Sequence, residues 1–166
     1  MPQVFRVAHI ASGYLAVMPR PGLDESLDDS FAALAKLGVG IVVSLLEPHE
    51  AAELGLADEQ VVCEGAGLVF RHFPIKDRGL PLDAGAVSRF SKWAHGEISE
   101  GCTLAFHCRA GIGRSGMMAA SVLLHEGFTV RDAFARISAA RGLTVPDTPG
   151  QLEWVQEHHA IIIGNP

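Results

Sequence analysis

Residues 103–116 read TLAFHCRAGIGRSG, and the interpretation of the whole chain turns on them. A short apolar run ends at a lone Cys108, Gly111 and Gly113 follow, and Arg114 stands six residues beyond the cysteine. MMAASVLLHEG (117–127) then has the composition of a buried helix. Strand, glycine-rich loop and helix N-terminus in that order form the geometry that binds phosphate. Glycines let successive backbone N–H groups turn inward as an anion nest, and the helix dipole adds partial positive charge. A cysteine at the end of the strand sits at the floor of that nest. Such settings favour thiolate over thiol and bring a cysteine pKa from about 8.5 to roughly 3.5–7.5. Arg114 is expected to fold back over the loop and grip two phosphate oxygens through its planar fork. A thiolate beneath a phosphoryl group, with no metal called for, suggests displacement through a phosphocysteine intermediate.

The rest of the composition narrows the classes of function. At 166 residues, 48% hydrophobic and 19% charged, without repeats or a linker, the chain reads as a single domain over residues 1–166. A net charge of -6 argues against nucleic-acid or anionic-membrane binding, which needs a basic face. Cys63, Cys102 and Cys108 are an odd number without CxxC spacing, which is neither a disulfide framework nor a zinc site. The remaining histidines show no paired ligand spacing, so no metal and no cofactor are expected. The N-terminus lacks a signal-peptide core and no run is long enough to span a membrane. A cytoplasmic monomer is the expectation.

Apolar stretches alternate with helical patterns, which predicts an α/β fold with a mostly parallel central sheet flanked by helices. GYLAVM (13–18), GIVVSLL (40–46), LVFRHFPI (68–75) and TLAFHC (103–108) read as strands, the second of them buried on both faces. Helices are predicted from Leu27 to Gly38, in one or two pieces over 49–66, from Asp83 to Glu100, and over 117–127. Two more run from a Thr129 cap to Arg141 and from near Thr148. KDRGLPLD (76–83) is a loop dense in turn formers and charge.

HCRAGIGRS (107–115) resembles in full the H-C-x5-R-[ST] signature of cysteine-dependent protein tyrosine and dual-specificity phosphatases. Together with LAKLGVGIVVSLLE (34–47), the short chain is similar to the compact dual-specificity type, of the cyclin-dependent-kinase-associated kind and its bacterial relatives. The resemblance implies a phosphate loop of Arg109, Ala110, Gly111, Ile112, Gly113 and Arg114, with Cys108 as nucleophile. It also implies an upstream aspartate in a mobile loop that protonates the leaving oxygen and later activates water. HFPIKDRGLP (72–81) supplies Asp77, 31 residues before Cys108. Ser115 is implied to hydrogen-bond the departing thiolate, and His107 to orient the loop through a backbone bond. Relatives often carry two glutamines four residues apart in a water-positioning loop. RGLTVPDTPGQ (141–151) departs from that pattern, with Asp147 at the first position and Gln151, the candidate water-positioning residue, at the second.

The implied substrate is a phosphorylated protein or peptide, bearing phosphotyrosine and also phosphoserine or phosphothreonine. Inositol-phosphate and lipid phosphatases share the signature but want more cations at the mouth than Arg109 alone supplies. Sulfur transfer of the rhodanese kind also uses a cysteine in an anion loop, yet the acid loop and the HCx5RS spacing argue against it. A pseudophosphatase that binds without cleaving is the non-enzyme alternative, and every group needed for turnover is present. Cys63 and Cys102 are expected to be structural thiols.

Overall fold

The computed structural model describes residues 1–164. Its centre is a five-stranded sheet in the order β1-β2-β5-β3-β4, with β1 (Phe5–Ile10), β2 (Gly13–Met18), β3 (Ile41–Ser44), β4 (Val69–His72) and β5 (Thr103–His107). β1 pairs antiparallel with β2, and every other neighbour is parallel. The sheet is therefore mostly parallel, as expected. β5 lies at its middle, so its C-terminal end delivers Cys108 to the edge where α/β sheets bind ligands.

Alternation along the strands divides the apolar side chains between two layers. Leu15, Val17, Val43, Leu104 and Phe106 point into a large core under α4 (Ala84–Ser99), α5 (Gly113–His125), α6 (Val130–Arg141), α7 (Pro149–Glu157) and α8 (His159–Ile162). Ala16, Met18, Val42 and Ala105 point the other way, onto Phe31 and Leu34 of α1 (Leu27–Lys36) and Cys63 of α3 (Glu59–Gly65). The small α2 (Pro48–Glu53) lies between β3 and α3. Burying side chains such as Phe106, Leu104 and Phe31 contributes about 1.5–3 kcal/mol each, which secures the strand end that carries the loop.

α1, α4, α6 and α7 begin where a side chain caps their free N–H groups. Ser26 accepts from the Asp29 amide, Thr129 from that of Asp132, and Thr148 forms a reciprocal capping box with Gln151. Three readings of the sequence need correction. The helix placed at 117–127 starts at Gly113, so that glycine opens α5 rather than merely interrupting the strand. The strand placed at 68–75 is regular only over Val69–His72, an edge strand with one side exposed. Its backbone still follows β3, because the Phe73 and Ile75 amides donate to Ser44 and Leu45 carbonyls. Finally, β1 has no counterpart in the sequence reading. It is half exposed, with Arg6 and His9 facing solvent, and a bulge between Arg6 and Ala8 breaks the period-2 pattern.

Candidate active site

Residues 108–113 leave the end of β5 and enter α5, and their backbone is secured entirely from outside. The Cys108 carbonyl faces Nδ1 of His107 at 3.2 Å. The Arg109 carbonyl accepts from the Arg20 amide at 3.2 Å, and the Ile112 carbonyl from the Gly116 amide at 3.0 Å. Arg141, the last residue of α6, donates from Nη2 to the Ala110 carbonyl and from Nε to the Gly111 carbonyl, each at 3.1 Å. Its guanidinium also lies over the Phe5 ring, 4.2 Å from the centroid. In a trans peptide unit the C=O and the following N–H point in opposite directions. Five carbonyls drawn outward therefore turn the amides of residues 109–113 inward. Among the described residues, the amides of 109–112 find no protein acceptor, and a run of such amides turned to one side is a geometry that can hold an anion.

Gly111 is required by that shape, and Gly113 leaves room for a close neighbour. Gly111 has φ +73°, and a Cβ there would come within 2.5 Å of the Met18 carbonyl. A Cβ on Gly113 would meet the Asp147 carboxylate at 2.5 Å and the Gln151 amide at 2.9 Å. The loop from α6 to α7 thus packs directly on the cradle. Gln151 is buried and its Nε2 reaches the Gly79 carbonyl at 3.5 Å, while Asp147 is exposed.

Cys108 is buried, and Ser115 Oγ donates to its sulfur at 3.2 Å. Arg114 is also buried, at 2% exposure, and its fork is held by protein partners. Nη1 and Nη2 donate to the two oxygens of Glu50 at 2.8 and 2.9 Å, Nη1 also reaches the Ile75 carbonyl, and Nη2 reaches Asp77 Oδ1 at 3.0 Å. Only the Nε hydrogen is left uncommitted. The physical reason is that a buried guanidinium must be paired. Glu50, itself 4% exposed, supplies the pair, and Arg109 Nε joins it at 3.4 Å.

These charges shape one another. Burial alone would raise the Glu50 carboxyl, yet hydrogen bonding and attraction from Arg114 hold it below the ordinary carboxylate range. Burial likewise lowers Arg114, but the Glu50 hydrogen bonds, and then the negative charges of Cys108 and Glu50, raise it overall. At Arg141 burial wins and the net direction is down, opposed by the charge of Cys108.

The structure thus brings together Cys108, Ser115, Arg114, Asp77 and the 109–113 amides, with Gln151 and Asp147 against Gly113. His107 is fully buried behind the loop, bonded through Nε2 to Glu59 Oε1. Glu50, Glu59 and Arg141 have no place among the site residues expected from the sequence. Each is an ordinary charged residue 64, 48 or 31 positions from its main partner, and no local pattern marks such a pairing. The second cysteines lie apart from this chemistry. Burial pushes Cys63 up to about 12 and Cys102 upward too, which makes both poor nucleophiles.

Comparison with known proteins agrees with this geometry. No curated protein matches the chain by sequence. Among solved structures, kinase-associated phosphatase with its catalytic cysteine replaced by serine superposes with a TM-score of 0.87. That match is 17% identical and covers 99% of this chain and 96% of the other. Tk-PTP in its active form gives 0.77 at 24% identity, covering 94% of this chain and 95% of that one. PTPMT1 in complex with PI(5)P gives 0.78 at 21%, covering 96% of both. At these identities the likeness is one of fold. The family described as "Polymorphic toxin system, DSP-PTPase phosphatase" matches residues 16–128, a span that holds both the acid loop and the cysteine loop. The chain therefore belongs to the DSP-PTPase phosphatases of polymorphic toxin systems and is a cysteine-based phosphatase.

Proposed function

We propose that the protein hydrolyses phosphotyrosine, and also phosphoserine and phosphothreonine, in protein or peptide substrates through a phosphocysteine intermediate. The observation that carries this reading is the ring of unpartnered inward amides above Cys108, with Ser115 beneath the same sulfur. Phosphate entering the ring takes those amides, the Arg114 Nε hydrogen, and the Nη2 hydrogen now held by Asp77. Displaced from Arg114, the Asp77 carboxyl is free to meet the leaving oxygen. The Cys108 thiolate attacks phosphorus, the P–O bond to the substrate breaks, and Asp77 gives its proton to the departing oxygen. Water placed by Gln151 then attacks phosphocysteine and loses its proton to Asp77. The P–S electron pair returns to sulfur, which Ser115 stabilises through its hydroxyl.

Several features support a peptide over a polyphosphorylated head group. Glu47, Glu50, Glu53 and Asp77 line the groove beside the cradle, against Lys76, Arg109 and His49. This rim carries more carboxylates than cations, whereas a second or third phosphate calls for excess positive charge. The fold it shares with PTPMT1, solved with PI(5)P, makes the lipid the natural control substrate.

The decisive experiment is turnover of an aryl phosphate and a phosphotyrosine peptide, with and without chelator. Metal-independent release of phosphate that vanadate blocks is expected. Cys108→Ser is expected to abolish turnover while still binding phosphate. Full activity in that variant would remove Cys108 as nucleophile, and a higher kcat/KM for PI(5)P than for the peptide would overturn the substrate class.

A further inference from the structure

Behind the phosphate loop lies a buried pair, His107 and Glu59, of which Glu59 has been given no task. Glu59 opens α3 at 3% exposure, and His107 closes β5 at 0%. The imidazole faces an acceptor on each side, the Cys108 carbonyl at Nδ1 and Glu59 Oε1 at Nε2. A carbonyl oxygen can only accept, so Nδ1 must carry a hydrogen. The contact between Nε2 and Glu59 then needs one more, on either the ring or the carboxyl. Whichever atom holds that proton, the pair as a whole is neutral and the ring is committed to donating from Nδ1.

We propose that Glu59 is a positioning residue for the phosphate loop, acting through His107. By occupying Nε2 it keeps a hydrogen on Nδ1, and so keeps the Cys108 carbonyl drawn outward. The same peptide unit carries the Arg109 amide, which is thereby turned into the cradle. Without the carboxylate, a neutral imidazole is free to carry its single hydrogen on Nε2. The Cys108 carbonyl then loses its donor, and the first amide of the ring loses its direction. The other carbonyls are held by Arg20, Arg141 and Gly116, so this unit depends on the pair alone. The proposal deepens the phosphatase reading and rests on it, since it assigns Glu59 to that same loop.

The test compares Glu59→Ala with Glu59→Gln. The glutamine amide can donate to Nε2 and preserve the Nδ1 hydrogen, whereas alanine leaves Nε2 without a partner. Glu59→Ala is expected to lose about tenfold or more in kcat/KM, and vanadate should bind more weakly by a similar factor. Glu59→Gln is expected to recover most of both. Equal losses in the two variants would overturn the positioning role, as would an unchanged kcat/KM and vanadate affinity per folded molecule in Glu59→Ala. Should the alanine variant fail to fold, nitrogen NMR of His107 in the unaltered protein decides. A hydrogen at Nδ1 supports the proposal, and a ring protonated at Nε2 alone overturns it. Vanadate affinity and the NMR signal need no turnover. An absence of phosphatase activity would therefore sink the catalytic reading, while these two measurements judge Glu59 separately.

Discussion

Residues 108–113 run directly into Arg114, and residues 76–82 carry the Asp77 that bonds its guanidinium, yet the two backbones are secured in different ways. In the first segment every carbonyl from Cys108 to Ile112 meets a donor, those of residues 109–111 from the distant Arg20 and Arg141, and the flanking side chains are buried. In the second, the ties are few: the Gly79 amide to Lys76, the Gln151 amide to Gly79, and the half-exposed Asp77 to Arg114. Leu80 and Leu82 stand in solvent, and Arg78 holds a left-handed φ of 56°. Preorganised donors cost no rearrangement when charge develops on the phosphoryl group, so a cradle works best when fixed. On the proposed reading Asp77 is the proton donor and must first let the substrate in, which suits a loop whose contacts the substrate can replace. Low local stability is expected where backbone contacts are few, and residues 76–82 meet that description.

The sharpest break of the contrast is Asp77→Asn. We expect kcat to fall by about 10²–10⁴-fold, most for alkyl phosphates with poor leaving groups, while thermal stability barely moves. Steady-state kinetics on aryl and alkyl phosphates, beside a melting curve, check both halves. An unchanged alkyl phosphate rate would take Asp77 out of the acid role.

Glu50→Ala should act in the opposite manner, through the fixed side of the site. Removing one partner of a buried ion pair typically costs about 3–5 kcal/mol, because here it leaves the buried Arg114 with only the half-exposed Asp77 to offset its charge. Denaturant unfolding measures it, and a loss below roughly 1 kcal/mol would show that Arg114 finds another anchor. The pair also sets a pH dependence. The Glu50 carboxyl is lowered in the fold, so its contribution is complete above the ordinary value of 4.5 and disappears as pH falls through the folded value.

Arg141→Ala sharpens the comparison within the cradle itself. It releases two carbonyls at once and should weaken vanadate binding by roughly ten- to a hundredfold, from the loss of two charge-assisted hydrogen bonds. A titration of vanadate against the variant reads this directly. Equal binding in variant and parent would mean that Arg20, His107 and α5 suffice to hold the loop.

The smallest effect is expected far from both loops, where α4 meets α5. Burial, then the neighbouring His95 and Lys92, lower the pKa of His125, which is bonded to Ser91 Oγ at 2.9 Å. Its stabilising contribution is full above the ordinary histidine value and is lost as pH falls below it toward the folded value. His125→Gln should therefore flatten a small part of the decline in melting temperature between about pH 7 and about pH 5. Neither loop should sense the change, and kcat/KM at neutral pH should be unaltered.

The sequence alone determined those features whose cause is local. Capping residues, glycine breaks and apolar runs placed most helices and strands, since each signal acts over a few neighbours. The spacing of Cys108, Arg114 and Ser115 could be read for the same reason: strand, turn and first helical turn carry them on one continuous stretch. β1 escaped, because an exposed edge strand with a bulge has no steady alternation to detect. Only the tertiary structure decided what surrounds that stretch. Glu50 under the fork, Glu59 behind His107, Arg141 and the Arg20 amide on the outer carbonyls all come from distant elements. Such pairings follow from which buried charge needs neutralising and which backbone oxygen needs a donor, and those needs exist only once the chain has closed around the loop.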